Sequence, residues 1–433
     1  MRSHKAITKY LQRFAEPESR FTKLLKVFHP APFQQAVIIP ACNESPEFLA
    51  RILALPTHVS TLWVVVLNGP EQITQEHLSS SKSCLDYLQA HCSPWQQLNP
   101  YSRVYSYNQH TVCCLDLIQA KPPSWPYHGV GFARKLAMDI CLWLYQDQHL
   151  VNAFVRSTDA DVAWPKDYLG LLPNQFDHVS ALLYPFRHGP VNVQDPDYSE
   201  AAAIYDCWLR YYVNGLSWAQ CPWAFHTIGS TMVINLHHYA INRGFPKKDA
   251  AEDFYLLNKL AKTGNVAQLH GPSLTLSNRI SQRTPFGTGK SIQSMDNTNL
   301  ESWNFYHPHV FVQLKYWYQY QAKQYQCEQL NLPPEAEPLR QALCQLGIEK
   351  HLKHCAKISQ DETSYRKQLN LKMDSATIRK CVHILRDEFY GSVSFVQLLE
   401  MIEAGSVPFI DHTSPALESN RVRRLSTLIT GAN

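Results

Sequence analysis

The stretch Val151-Asn152-Ala153-Phe154-Val155-Arg156-Ser157-Thr158-Asp159-Ala160-Asp161-Val162 decides how this chain is read. The apolar run Val151 to Val155 reads as a buried strand, and Asp159 and Asp161 follow at its end, three and five residues past Arg156. Two carboxylates so placed can hold one divalent cation. Magnesium or manganese prefers oxygen ligands and commonly reaches a protein through one or two carboxylates, while a substrate's phosphates complete the shell. The pair therefore predicts Mn2+ or Mg2+ as cofactor and a nucleotide as partner. Short Asp-X-Asp strings also occur as merely solvated surface, so the flanking sequence has to decide.

Outward from this stretch the chain alternates between strand and helix patterns. Strands are predicted over Ala36 to Pro40, Leu62 to Leu67, Val112 to Ile118, Ala153 to Thr158, Val179 to Tyr184 and Ile228 to Ile234. Helices are predicted from Pro46, after Pro70, over Val130 to Tyr145, after Pro165 and over Ala250 to Lys262. This is α/β organisation with parallel strands joined by helices. In open sheets of that kind ligands collect at the carboxyl ends of the strands, where Asn43, Glu44, Asn68 and the aspartate pair all fall. After Ser291 the strand signal stops, and Val310 to Gln326, Pro338 to Ile358, Ser375 to Phe389 and Ser394 to Ala404 read as helices. The aromatic-rich one, with Tyr316, Trp317, Tyr318, Tyr320 and Tyr325, reads as packing against a neighbour. Residues 3–28 read as a basic helical arm interrupted at Pro17, with Leu11, Phe14, Phe21, Leu24, Leu25 and Phe28 near one stripe. Packing on the main domain suits this arm better than a membrane surface, because Glu16 and Glu18 dilute its charge.

Composition narrows the class. At 433 residues with 45% apolar and 18% charged, the chain is neither disordered nor too short for a sizeable core. A net charge of +4 with dispersed Lys and Arg argues against nucleic acid as partner. The twelve cysteines are scattered without a Cys-X-X-Cys pair, which predicts free thiols in a reducing compartment. No run approaches eighteen apolar residues and no leader pattern follows the N-terminal basic residues. The expectation is a cytoplasmic protein without a transmembrane segment, with peripheral membrane contact through the arm as the lesser alternative.

Three further motifs join the aspartate pair. Ile38-Ile39-Pro40-Ala41-Cys42-Asn43-Glu44 resembles the opening strand motif of family 2 glycosyltransferases, Phe154 to Val162 their metal motif, and Ala251-Glu252-Asp253 with Leu256 their acidic catalytic helix. Between the first two, Gly129-Val130-Gly131-Phe132-Ala133-Arg134-Lys135 is similar to the Gly-rich helix start that sets an Arg beside the donor in such enzymes. The resemblance covers residues 35–290 with all motifs in order. It implies a GT-A (Rossmann-like) nucleotide-sugar-binding sheet flanked by helices, over residues 33–292, after a 1–32 arm and before a helical C-terminal region over 293–433.

The resemblance also implies roles: a metal-dependent glycosyltransferase of the hexosyltransferase type would move a sugar from a UDP- or GDP-linked donor to a glycan, lipid or small-molecule acceptor hydroxyl. Pro40, Ala41, Asn43, Glu44, Asn68, Arg134 and Asp159 would line the donor. Asn68 departs from the usual Asp and Cys42 from the usual aromatic, which leaves uracil and guanine both open. Asp161 would ligate the metal directly, Asp159 the ribose or a metal-bound water, and His270 would be the third ligand, with His226 its weaker competitor. Asp253 would be the general base of a single displacement, hence inversion, with Glu252 orienting the acceptor or the helix. Arg279, Arg283 and the turn Pro285 to Lys290 would close over the diphosphate. Trp208, Trp218 and Trp223, with Tyr211 and Tyr212, lie where the family faces its acceptor, although core packing is the commoner fate of tryptophan.

Other readings compete. Gly287-Thr288-Gly289-Lys290-Ser291 is not a P-loop, since Thr284 stands where its first glycine belongs and no strand leads into it. Asp159-Ala160-Asp161-Val162 also fits haloacid-dehalogenase-like phosphatases, but three strand-helix units precede it here, where that motif ends the first strand of its domain. A non-catalytic nucleotide-sugar or glycan-binding module would require a spoiled site, and Asp161 and Asp253 are intact.

Overall fold

The computed structural model describes residues 2–120, 129–170, 172, 178–191, 199–279, 291, 303–323, 330–411 and 421–430. The chain divides into two compact units, Met1–Asp197 with Thr227–Phe286, and Tyr198–His226 with Gly287–Asn433.

The first unit is built on a mixed sheet flanked by helices. Its centre is four parallel strands, β1 (Gln35–Ala41), β2 (Thr61–Leu67), β5 (His110–Asp116) and β6 (Phe154–Ser157). All of their residues are buried, as strands covered on both faces must be, and this is why they read as near-continuous apolar runs. Beyond β5 lie the antiparallel β4 (Ser102–Tyr107) and β3 (Trp95–Asn99), a pairing the sequence pattern did not suggest. On the other side β10 (Met232–Asn235) runs antiparallel between β6 and β8 (Val179–Leu183), and β11 (Asn265–Gln268) closes the edge parallel to β8. A second sheet of three short strands, β7 (Val162–Ala163), β12 (Leu274–Ser277) and β9 (Phe186–Gly189), continues the chain directly after the aspartate pair.

Strand order locates the ligand edge. The chain proceeds from β1 through α3 (Glu47–Ala54) to β2, then through α4 (Gln75–His91) and the β3–β4 hairpin to β5, all on the side of β1 away from β6. It then returns through α5 (Val130–Gln146) to the opposite side of β1, so the order reverses between β1 and β6. That reversal is the topological switch point at which an open sheet leaves a crevice beyond its strand ends. Pro40 widens it. The carbonyl of Ile38 accepts from Thr158 N at 3.1 Å, so the even positions of β1 face β6. Pro40, with no N–H to offer on that side, ends the pairing with β6 while β1 continues to pair with β2 through Ala41.

The N-terminal arm packs as α1 (Arg2–Arg13), a 3-10 turn over Pro17–Phe21 and α2 (Thr22–Phe28), broken at Pro17 as its sequence requires. Its purpose is legible in α5, which is buried at every residue from Gly131 to Leu142. A helix buried all round needs cover on its outer side as well as a sheet beneath. The arm supplies it and is pinned by Asp139, a fully buried carboxylate in α5. Asp139 accepts from Tyr10 Oη at 2.7 Å, Glu16 N at 2.9 Å, Lys135 Nζ at 2.7 Å and Tyr239 Oη at 3.1 Å. Burial raises its pKa, opposed by Lys135 and by these donors.

The second unit is mainly helical. It gathers α6 (Ser199–Trp218), His309–Lys323, Glu337–Gln345, Ile348–Ile358, Glu362–Lys372, Ser375–Leu385, Phe395–Glu403 and Arg421–Thr430. The single helix expected over Pro338 to Ile358 is two, because Gly347 takes a left-handed φ of 68° between them. The helix expected after Pro165 is instead a turn through Gly170. Strand structure does recur after Ser291, as three-residue strands β13 (Asn304–Tyr306) and β14 (Ser392–Ser394), too short to show an alternation. Among the described residues no helix is long and apolar enough to cross a membrane, and the cysteines of that set are free.

Removing one partner from a buried charge network leaves the others uncompensated, at a cost of about 3–5 kcal/mol. Asp139→Ala should therefore lose stability on that scale in urea denaturation and expose the arm to proteolysis. A loss under about 1 kcal/mol, the size of a surface pair, would mean that Asp139 does not anchor the arm.

Candidate functional site

Four chain segments meet at the switch point. After β1, Asn43 takes a left-handed φ of 52°, and its Nδ2 donates to Glu76 Oε1 at 2.6 Å, which turns the chain so that Glu44 follows at the strand end. Ser80 Oγ on α4 donates to the Glu44 carbonyl at 2.7 Å. Pro40 and Ala41 are buried in β1 itself. After β2, Asn68 donates its N–H to Ala41 O at 2.9 Å and is 5% exposed, and its Oδ1 is buried without a hydrogen-bond partner among the described residues. A buried acceptor left unpaired is costly, which marks Asn68 Oδ1 as a candidate contact for a hydrogen-bond donor.

After β6 the Asp-Ala-Asp turn is held from three directions. Arg51 on α3 donates from Nη2 to the Ala160 carbonyl at 2.8 Å, Trp164 Nε1 donates to Thr158 Oγ1 at 2.9 Å, and Ser277 N donates to the Asp161 carbonyl at 3.2 Å. The last contact continues the pairing of β7 with β12. Asp159 and Asp161 remain about a third exposed, which leaves both carboxylates accessible at the crevice. Arg279, two residues past β12, pairs through Nη2 with Oε1 of Glu44 and lies 2.9 Å from Oδ2 of Asp161.

The acidic helix α8 (Glu252–Leu260) is tied to this turn by Arg134. From the second turn of α5, Arg134 donates Nη1 to Ser157 Oγ at 2.8 Å, Nη2 to Asp159 Oδ1 at 2.6 Å and Nε to Glu252 Oε1 at 2.9 Å. The guanidinium is buried. Burial opposes its charge, but Asp159, Glu252 and Asp253 outweigh that and raise its pKa. One glycine makes room for it and another for the loop before α8. A Cβ on Gly229 would stand 2.5 Å from Arg134 Nη2, and one on Gly131 would stand 2.5 Å from the carbonyls of Pro246 and Lys248, the loop that leads into α8. The Gly-rich start of α5 thus serves close packing against that loop, while its arginine is spent on carboxylates.

These neighbours set two acidities. Desolvation, with Asp161 and Glu252 adding to it and Arg134 opposing, pushes Asp159 up to about 6. Desolvation and then Glu252, opposed by Arg134 and by the N–H of Phe254, push Asp253 up to about 7. A carboxylate whose pKa lies near neutrality suits the transfer of a proton.

Other expected residues are placed elsewhere in the chain's fold or lie outside the described set. His270 is exposed beyond β11, the outermost strand, with β8 and β10 between it and β6. Among the described residues no three His, Cys, Asp or Glu side chains gather as a metal cage. Two accessible carboxylates fit magnesium or manganese in the mode where substrate phosphates help fill the shell. Arg283 and Pro285 to Lys290 lie outside the described residues. His226 and the aromatic segment belong to the second unit. There Tyr211 stacks edge-on with Phe305 and Phe311, Trp218 lies 6.0 Å from Phe409, and Trp223 is buried, so much of this aromatic surface is used in packing. Arg51 and Gly229 lay outside the motifs, and Ser157, though within Phe154 to Val162, was given no role by the sequence; each acts through a contact distant in the chain.

No protein-family model matches the chain, and no curated protein matches it either. Among solved structures it is similar to S. aureus TarS 1-349 in complex with UDP-GlcNAc, at 13% identity over 77% of this chain and 89% of that one, with a TM-score of 0.36. It is also similar to the mannosyltransferase PcManGT from Pyrobaculum calidifontis in complex with GDP-Man and Mn2+, at 15% identity over 89% and 96%, with a TM-score of 0.33. At such scores the functional reading rests on this chain's own residues.

An adjacent cation lowers a carboxyl pKa, so removing it must raise that pKa. In Arg134→Gln the titration midpoint of Asp253, followed by carboxyl-carbon NMR, is expected to move upward from about 7. An unmoved midpoint would show that Arg134 does not set it.

Proposed function

We propose that this protein is a metal-dependent glycosyltransferase of GT-A type, transferring a sugar from a uridine or guanosine diphosphate sugar to an acceptor hydroxyl with inversion. The observation that carries the reading is the Arg134 contact set, which joins the Asp159 turn at the switch point to the start of α8, where Asp253 stands. It sets cation-binding carboxylates and a near-neutral carboxylate around one crevice, the combination that diphosphate departure and hydroxyl deprotonation require.

In this reading Asp161, with Asp159 beside it, holds the divalent cation, which when bound neutralises the charge that grows on the leaving diphosphate. Asn68 Oδ1 accepts an N–H from the nucleobase, an N–H that both uracil and guanine offer, and Glu44 contacts the ribose. Asp253 takes the acceptor proton on a carboxylate oxygen. Glu252, bonded to Arg134, is a positioning residue that fixes the helix start. As a haloacid-dehalogenase-like nucleophile Asp159 would be hampered, because Arg134 already holds its Oδ1 at 2.6 Å.

A thermal-shift screen of uridine and guanosine diphosphate sugars with Mn2+ or Mg2+ should identify the donor, since a bound ligand stabilises by RT ln(1 + [L]/Kd). In Asp253→Asn donor binding should persist while turnover falls about 10²–10⁴-fold. Near-native turnover in that variant, or a product with retained anomeric configuration, would sink the base assignment. Because the base works only when ionised, kcat/KM of the unmodified protein should fall about tenfold per pH unit below about pH 7.

The same acidity has a stability sign. A carboxyl whose folded pKa is raised contributes stability that is complete below its unfolded value, near 3.9, and is lost as pH rises through about 7. Asp253→Asn should accordingly melt higher than the unmodified protein at pH 8 and lose most of that advantage near pH 4. Equal melting at both pH values would contradict the raised pKa.

A further inference from the structure

Arg279 is placed by the same strand pairing that places Asp161. In the three-stranded sheet Thr275 stands opposite Ala163 and Leu276 opposite Val162, Ser277 N bonds the Asp161 carbonyl at 3.2 Å, and Arg279 N bonds Ser277 Oγ at 3.2 Å. Its guanidinium then reaches Glu44 beyond β1 and Asp161 beyond β6, two carboxylates from the two strands that flank the switch point. One positive charge between two carboxylates of different strands is the arrangement a divalent cation demands, and here the chain supplies it from within. The contact is incomplete as a resting place for arginine. Nε is buried without a hydrogen-bond partner among the described residues, so the planar fork is engaged through one end only.

Resting on the transferase reading of this site, we infer that Arg279 is an internal counter-ion that holds Asp161 until the divalent cation takes that carboxylate, and that a nucleoside diphosphate drives the exchange. The cation and the guanidinium compete for the Asp161 carboxylate, whose Oδ2 the guanidinium holds, so each weakens the other. A diphosphate removes the competition by offering the released arginine a bidentate anionic partner. Metal and nucleotide therefore bind with positive coupling, and the crevice takes up little cation while the donor is absent. A side chain that competes with a ligand lowers its apparent affinity by the fraction of molecules it occupies.

The test is manganese binding to the full chain, read from the electron paramagnetic resonance of free Mn2+, first alone and then with uridine or guanosine diphosphate. The unmodified protein should bind Mn2+ weakly alone and about 5- to 150-fold more tightly with the matching diphosphate, the usual span of coupling between two sites. Arg279→Gln should bind Mn2+ alone more tightly than the unmodified protein, by a factor in that same range, and should show a smaller enhancement by nucleotide, the remainder coming from phosphates that bond the ion directly. Arg279→Lys, which keeps the charge but loses the fork, should fall between them and serves as the reading if the Gln variant does not give a native melting transition. The inference fails if both variants bind Mn2+ alone no better than the unmodified protein, or if none of the three binds it. Failure there, with Asp253→Asn still defective in turnover, would remove the counter-ion role and leave the transferase reading standing.

Discussion

The buried guanidinium of Arg134 is the contact on which the rest of the crevice depends. It bonds the end of β6, the turn that follows and the first residue of α8, the last of them 118 positions away in the chain, through nitrogens held in one plane. A charge in that position is costly to desolvate, and it is retained because Asp159, Glu252 and Asp253 compensate it from different sides. The converse also holds. Without that cation the three carboxylates would repel one another, and the crevice would have no reason to keep them close. The rigid fork of arginine suits this task where a lysine point charge would serve only one partner at a time.

Arg134 can occupy that position because α5 is immobilised on every side. The next residue, Lys135, points its ammonium to Asp139, Tyr10 Oη and the Phe14 carbonyl beneath the N-terminal arm. One helix thus faces a reaction crevice with one residue and a structural cover with its neighbour. The arm belongs to the core of the first unit in the energetic sense, whatever its basic outer face meets.

Two arginines treat the carboxylates of the crevice differently. Arg134 is enclosed and its bonds are complete, as befits a fixed part of the framework. Arg279 is a quarter exposed and, among the described residues, bonds at one end. The contrast separates a clamp from a cation that can be exchanged, and the exposure of Asp159 and Asp161 to the crevice gives an incoming ion access to both.

Much of this was legible in the sequence, because local pattern carries it. Buried parallel strands must be apolar throughout, which marked β1, β2, β5 and β6; Pro17 had to break the arm; and acidic residues at a helix start are favoured by its dipole, which marked α8. Asp159 and Asp161 were readable as a pair because a strand end presents them together. The partners of those residues were not readable, because they are set by strand order. The reversal between β1 and β6 brings Glu44 to Asp161 and Arg279, and the crossover of α5 brings Arg134 to Glu252. Short strands such as β3, β4, β13 and β14 gave no period to detect, and α6 lies in sequence among the strands of one unit yet packs within the other. Sequence alone determined which residue types stand at strand and helix ends; tertiary structure alone decided which of them share charge, because Coulomb attraction acts across space between segments that the chain connects only at a distance.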